Sequence, residues 1–110
     1  YAYVSAYCAA KHGVLGLTRA LALETAQQGI TVNAICPGYT DTGIIRDAVH
    51  NISAKTGRSE EEAMQEFTRS NPQGRLIQPD EVAATVLWLC SDAARSITGE
   101  AISISGGETA

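Results

Sequence analysis

The sequence predicts an α/β fold with a parallel sheet, because its elements follow in the order helix, strand, helices and strand. A run rich in β-branched residues, 30–36, and a second short strand pattern, 101–105, are separated by a long stretch of helical patterns. A strand, a helical crossover and a second strand are typical of a parallel sheet with a right-handed connection. Two parallel strands are not stable alone, so we expect neighbouring strands that this chain does not contain.

Length and composition indicate one small globular domain. The chain has 110 residues, of which 45% are apolar and 18% charged. Its formal net charge is −4 and it has no Lys/Arg cluster, so we expect no nucleic-acid partner. No apolar run approaches the roughly 18 residues that cross a bilayer, and no signal peptide opens the chain. We therefore expect a cytoplasmic protein that does not bind a membrane.

The cysteines give no sign of a metal site or a disulfide framework. Cys8, Cys36 and Cys90 are odd in number, far apart and in no CxxC pair. Because small or apolar residues flank each one, we expect reduced and mostly buried thiols, as in the cytoplasm.

The first predicted helix starts at Ser5 as the N-cap and runs to about Gln28, with Gly29 as the residue that ends it. Residues 6–28 are almost uncharged, and apolar or small residues occur on nearly every face. Such a helix is normally covered on several sides. It also carries a stripe of small residues at helical spacing: Ala9, Gly13, Gly16 and Ala20. We predict that this helix pairs with its symmetry mate in a homodimer or homotetramer.

The middle of the chain predicts three more helices. One lies near residues 44–52, and the next is preceded by a capping box, Ser59 followed three residues later by Glu62. That helix should run to about Arg69. Residues 71–75 interrupt the pattern, and a last helix, 79–91, begins at a proline.

Tyr7 and Lys11 are four residues apart, so on a helix they share one face about one turn apart. A free tyrosine has a pKa of about 10, which is too high for efficient proton exchange at neutral pH. A neighbouring ammonium group stabilises the phenolate. The pair can therefore give or take a proton when a carbonyl and an alcohol interconvert. Many helices contain this spacing by chance, so the pair alone identifies no site.

The surrounding motifs make the pattern specific. Five motifs occur in the order found in short-chain dehydrogenases/reductases, and the chain resembles that family over essentially its whole length. They are Tyr7–Lys11 with a glycine after it, Thr31–Gly38, Tyr39–Thr42, Gly74–Arg75 with Pro79–Ala83, and Ile97–Gly99 with Ser105–Gly107.

The resemblance implies a fold and a reaction. Residues 1–110 would be the C-terminal part of one domain with a Rossmann-like, doubly wound parallel sheet. The reaction would be hydride transfer between NAD or NADP and a small-molecule secondary alcohol or ketone. Tyr7 would be the general acid/base, while Lys11 would stabilise its phenolate and hydrogen-bond the nicotinamide ribose. Both residues would thus be catalytic and would also contact the cofactor.

The same resemblance assigns further cofactor contacts to the turn after the first strand. Pro37 and Gly38 would shape the wall beside the nicotinamide. The backbone of Thr40 and the hydroxyl of Thr42 would hold the carboxamide.

The substrate side of the site is implied more loosely. Residues 43–71 would be a flap over the substrate, with Tyr39 near its entrance. The flap and residues 71–75 look most like those of members acting on acyl thioesters: 3-oxoacyl carrier-protein reductases, 3-hydroxyacyl-CoA dehydrogenases and polyketide ketoreductases.

Several features of complete family members are missing from this chain. The glycine-rich phosphate turn, the selector of NAD or NADP, the Asn-Ala-Gly segment and the catalytic serine all precede this region in the family. Gly13 and Gly16 are no substitute, because they lie inside a helix rather than after a strand. Ser5 is interpreted as a helix cap rather than the catalytic serine. We therefore expect the chain by itself to be inactive, and the choice between NAD and NADP stays open.

Two other classes of protein stay open. A non-catalytic binding or scaffolding member would keep the fold, but packing does not require Tyr7 and Lys11 together. Sugar-nucleotide epimerases and dehydratases share the Tyr-x-x-x-Lys spacing. The Pro-Gly-x-x-x-Thr turn and the Ser-Gly-Gly ending favour the compact dehydrogenases over these larger relatives.

Overall fold

The structure, a computed structural model, describes residues 2–110. The elements follow in the predicted order: α1 (Ser5–Thr25), β1 (Ala34–Pro37), α2 (Gly43–Thr56), α3 (Glu60–Thr68), α4 (Pro79–Leu89) and β2 (Ala101–Ile104). Contacts divide the chain into two compact units. The first runs up to Ile35 and resumes at Val86–Ile102, and the second holds Cys36–Thr85 and Ser103–Ala110.

Helix α1 confirms the predicted first helix but not its predicted cap. The helix continues as a 3₁₀ turn to Gln28 and ends at Gly29, whose φ of 71° lies in the left-handed region. The N-cap, however, is Val4 rather than Ser5, and no side chain caps the helix. Since Cys8 N–H donates to Val4 C=O at 2.8 Å, the first helical hydrogen bond forms one residue earlier than predicted.

Strand β1 begins later than the β-branched run predicts. Residues 30–33 are outside the strand because side-chain bonds and one backbone bond, from Gly99 N–H to Val32 C=O at 2.7 Å, hold them in place of a ladder. Val32 N–H donates to Thr98 Oγ1 at 3.0 Å. The Asn33 carboxamide donates to Ile97 C=O and accepts from Glu100 N–H, at 2.9 and 3.1 Å.

Strands β1 and β2 are neighbours in a two-stranded parallel sheet, as predicted. At one end Ala34 N–H donates to Glu100 C=O at 2.8 Å, and at the other Gly38 N–H donates to Ile104 C=O at 3.0 Å. Both strands advance by four residues between these two bonds, which is the register of parallel strands.

Helices α2 and α3 pack against each other in the second unit, with Val49 and Ala63 buried. Gly57, with a φ of 72°, ends α2 several residues beyond the predicted helix. The predicted capping box at the start of α3 is confirmed in both halves. Glu62 N–H donates to Ser59 Oγ at 3.1 Å, and Ser59 N–H donates to Glu62 Oε2 at 3.0 Å.

The interruption before α4 is an ordered turn built around the buried side chain of Asn71. Its Oδ1 accepts from Gln73 N–H and its Nδ2 donates to Arg75 C=O, both at 2.8 Å. Gly106, after β2, lies directly against this carboxamide, and a Cβ there would collide with it. The turn is therefore held by side-chain bonds and needs a glycine at position 106.

The three cysteines form no disulfide with one another, and they are not mostly buried as predicted. Cys8 and Cys36 are half-buried and Cys90 is exposed. Cys90 is one helical turn after Val86, which is itself 43% exposed, so both occupy an uncovered face. Within residues 2–110 no helix is both long and apolar enough to cross a membrane.

We predict that Gly106→Ala destabilises the protein more than Gly74→Ala. Both glycines have positive φ angles, 64° and 67°, which cost an alanine about 1–2 kcal/mol. Only the substitution at Gly106 adds a collision with Asn71, since a Cβ at Gly74 meets nothing within 4 Å. Overpacking of this kind adds roughly 1–3 kcal/mol. Urea unfolding measures the difference, and equal losses for the two variants would contradict this account.

Candidate active site

Helix α1 carries Tyr7 and Lys11 on one face, as the spacing predicts. Lys11 Nζ lies 5.4 Å from the centroid of the Tyr7 ring, and the tyrosine is 63% exposed. At this distance the ammonium group is attracted to the ring face. The pair therefore presents an accessible phenol with a positive charge beside it.

The turn after β1 begins with a close approach of two backbones. Gly38 N–H is bound to Ile104 C=O. A Cβ on Gly38 would lie 3.2 Å from the Ser105 Cα and 3.3 Å from Glu108 Oε2. The turn thus follows the end of β2 closely because position 38 has no side chain.

Backbone hydrogen bonds of Tyr39 and Asp41 with Ile77 fix the orientation of Thr40, whose own N–H and C=O take no part in them. Ile77 N–H donates to Tyr39 C=O at 2.9 Å, and Asp41 N–H donates to Ile77 C=O at 2.8 Å. These two bonds form a single parallel bridge between Thr40 and Ile77. Successive backbone groups of an extended segment point to opposite edges, so the N–H and C=O of Thr40 point away from Ile77. Its hydroxyl donates to Gly38 C=O at 3.0 Å.

Thr42 starts helix α2 without capping it. Its C=O accepts from both Ile45 N–H and Arg46 N–H at 3.1 Å, as an N-cap residue should. Its side chain, however, makes no cap hydrogen bond, and the residue is exposed. Threonine at this position usually binds a backbone N–H of the first turn. The Thr42 hydroxyl is therefore available to a ligand.

Tyr39 connects the turn to helix α3. Its ring meets that of Phe67 edge-to-face, with centroids 5.3 Å apart and planes at 79°. Both residues are half-buried. The aromatic pair thus joins the predicted entrance residue to the predicted flap within the second unit.

One ion pair borders the turn in sequence, and a second flanks Ile77, the residue bridged to the turn. Arg46 Nε lies 2.9 Å from Asp41 Oδ1, and the hydrogen bond from Arg46 holds the pKa of the Asp41 carboxyl below its usual value. The second pair is Arg75 with Glu81, joined by two bonds of 2.7 Å.

The Glu81 carboxylate is the more strongly perturbed of the two acids. Hydrogen bonds from Arg75 and from Gln78 N–H lower the pKa of Glu81 from 4.5 to about 2. Because the folded-state pKa is depressed, the stabilisation from this pair is present above pH 4.5 and is lost as the pH falls toward 2.

The structure thus brings the predicted site residues together as two sets, Tyr7 with Lys11 on one helix and residues 37–42 on one turn. The sequence reasoning missed the contribution of Ile77, Arg75 and Glu81. The sequence indicated Arg75 and Glu81 only as members of the motifs Gly74–Arg75 and Pro79–Ala83, to which it assigned no role. It gave no signal for Ile77. Among the described residues no group of three or more His, Cys, Asp or Glu side chains could hold a metal ion.

The fold and site define a class, namely parallel α/β proteins with a tyrosine–lysine helix followed by a strand and a Pro-Gly turn. A family model described as enoyl-(acyl carrier protein) reductase matches residues 1–109. The chain belongs to the short-chain dehydrogenase/reductase family.

The relatives of this chain include proteins named as dehydrogenases and reductases. A D-beta-hydroxybutyrate dehydrogenase of Rhizobium meliloti is 41% identical over 109 residues, which are 98% of this chain. An acetoacetyl-CoA reductase of the same organism is 47% identical over 102 residues, or 93% of the chain. A crystal structure of a variant actinorhodin polyketide ketoreductase with NADPH matches with a TM-score of 0.85 and 41% identity over 98% of this chain.

The chain spans only part of each relative. It covers 42% of the hydroxybutyrate dehydrogenase and 38% of the acetoacetyl-CoA reductase. It likewise covers 41% of the polyketide ketoreductase chain.

We predict that Thr42→Ala changes stability by less than about 0.5 kcal/mol, because the side chain caps nothing. Ser59→Ala is the matched variant, since Ser59 occupies the same position at α3 and accepts a hydrogen bond. Loss of that cap should cost about 1 kcal/mol. Urea unfolding of both variants tests the difference, and a cost at Thr42 equal to that at Ser59 would show that its hydroxyl does cap α2.

Proposed function

We propose that the full-length protein is an NAD(P)-dependent oxidoreductase that interconverts a secondary alcohol and a ketone. Residues 1–110 would form the C-terminal part of its single domain. The observation that carries the proposal is the position of Lys11 Nζ, 5.4 Å from the ring of an exposed Tyr7. Packing does not require this pair, whereas a nearby positive charge favours acid/base catalysis by a tyrosine because it stabilises the phenolate.

Tyr7 is the general acid/base in this proposal. In the direction of reduction its Oη gives a proton to the carbonyl oxygen, and in oxidation it takes the proton from the alcohol. Lys11 stabilises the phenolate that forms and hydrogen-bonds the nicotinamide ribose. The nicotinamide, when bound, supplies or accepts the hydride.

The turn after β1 has the groups that this cofactor needs. Pro37 and Gly38 form the wall beside the ring in this proposal. The N–H and C=O of Thr40 point away from Ile77 and match the amide of the nicotinamide. The Thr42 hydroxyl, which caps nothing, completes this set. NAD and NADP are both compatible with these contacts.

We further propose a 3-oxoacyl or 3-hydroxyacyl thioester as the substrate, because one relative is named as an acetoacetyl-CoA reductase. Residues 43–71 would cover it, with Tyr39 at the entrance and held by Phe67. The description of the matching family model favours a second reaction, reduction of an enoyl thioester. An enoyl substrate therefore belongs in the assay beside the oxoacyl one.

We predict that the full-length protein oxidises NADH or NADPH with acetoacetyl-CoA and that Tyr7→Phe lowers turnover at least about a hundredfold. Cofactor affinity should stay nearly intact, because the ring and Lys11 remain. Absorbance of the reduced cofactor measures turnover, and its fluorescence on titration measures affinity.

Tyr3→Phe is the matched control for this substitution. Tyr3 is fully exposed and has no lysine four residues on, so its loss should leave turnover unchanged. Turnover that survives Tyr7→Phe would refute the acid/base assignment. A protein that binds neither cofactor would instead favour a non-catalytic binding or scaffolding role, and turnover of crotonyl-CoA alone would favour the enoyl reaction.

We propose that the full-length protein is a homodimer or homotetramer assembled through residues 6–28. Val14 and Leu17 on α1 are 51% and 57% exposed, although the helix is almost uncharged. Light scattering at micromolar concentration should give two or four subunits, and Leu17→Glu should reduce that number because it places a charge in the interface. A monomeric unmodified protein would contradict this assembly.

A further inference from the structure

Residues 76–78 form a short extended segment with two different edges. One edge is the backbone of Ile77, which binds Tyr39 C=O and Asp41 N–H. Ile77 is only 1% exposed, so this pairing lies in the core of the second unit. The other edge presents Leu76 C=O and Gln78 N–H, because successive backbone groups alternate in direction.

Arg75 and Glu81 bind that second edge. The Arg75 guanidinium donates to Leu76 C=O at 3.1 Å, and Glu81 Oε2 accepts from Gln78 N–H at 2.7 Å. The two side chains are joined to each other by a bidentate pair of 2.7 Å bonds. They therefore occupy the place that a neighbouring strand would have in a sheet, and they bind the residues on both sides of Ile77.

This arrangement contributes little as an ordinary surface ion pair. The Arg75 and Glu81 side chains are 46% and 37% exposed, a setting in which ion pairs add little to stability. Its geometric consequence is larger, because it fixes the direction of a backbone segment only three residues long. Through Ile77 that direction determines where the N–H and C=O of Thr40 point.

We propose that Arg75 and Glu81 are positioning residues for the nicotinamide end of the cofactor. They hold residues 76–78 in line, and Ile77 then holds Thr40 so that its backbone groups face the carboxamide. The proposal rests on the cofactor-binding role proposed above for Thr40. It assigns a function to the motifs Gly74–Arg75 and Pro79–Ala83.

The test compares two ligands of the full-length protein, one with the nicotinamide and one without it. The first is NADH or NADPH, whichever binds, and the second is ADP-ribose, or its 2′-phosphate if NADPH binds. The variants are Glu81→Gln and Arg75→Lys, the second of which keeps the charge but loses the bidentate geometry. Asp80→Asn is the matched control, because it removes one acid from the same helical turn. The Asp80 side chain makes no hydrogen bond or ion pair within the described part of the chain.

We expect both variants to weaken binding of the reduced cofactor on the order of tenfold and to leave ADP-ribose affinity within about twofold of the unmodified protein. Asp80→Asn should change neither. Equal weakening of the two ligands would overturn the proposal, since it indicates a general loss of structure, and so would unchanged cofactor affinity. If Glu81→Gln does not fold, Arg75→Lys decides the result.

The same titrations separate this proposal from the one on which it rests. If the unmodified protein binds the reduced cofactor no more tightly than ADP-ribose, the nicotinamide contact itself is wrong and both proposals fail. If the unmodified protein distinguishes the two ligands but the variants do so equally well, only the positioning role fails.

Discussion

The main-chain pairing of Ile77 with residues 39–41 is the interaction on which the second unit depends. It joins the turn after β1 to the segment before α4, although more than thirty residues, α2 and α3 among them, lie between the two in sequence. A single bridge of two hydrogen bonds is weak by itself. It persists because Ile77 is buried and because a guanidinium and a carboxylate bind the opposite edge of its segment.

Much of the fold could be predicted from local sequence signals. The capping box at Ser59, the glycine after α1 and the short strand pattern of β2 each encode their structure within a few residues, so the order of elements and the parallel sheet could be predicted. The start of β1 could not be read in this way. Residues 30–33 have the composition of a strand, but Asn33 and Thr98 provide hydrogen bonds that replace the ladder. Whether residues 30–33 join the strand therefore depends on residues more than sixty positions away in sequence.

The candidate site likewise has some residues that local sequence predicts and others that it does not. Tyr7 and Lys11 are one helical turn apart, so their proximity follows from spacing alone. Residues 37–42 form a contiguous motif, and the family resemblance was enough to identify them. Ile77 had no comparable signal, because a bridge of one residue has no periodicity to detect. Arg75 and Glu81 were visible as motif residues, yet their role depends on which backbone edge they face. Only three-dimensional placement supplies that information.

The contact between Asn71 and Gly106 has a consequence for how the sequence can diverge. The carboxamide of Asn71 fills the space that a side chain at position 106 would need, while its two hydrogen bonds keep it there. Neither position is therefore free to drift independently. A larger residue at 106 is tolerated only after a smaller one has replaced Asn71, and that first change leaves the turn before α4 without its two side-chain bonds. The two positions should accordingly vary together among relatives, as a coupled pair separated by 34 intervening residues.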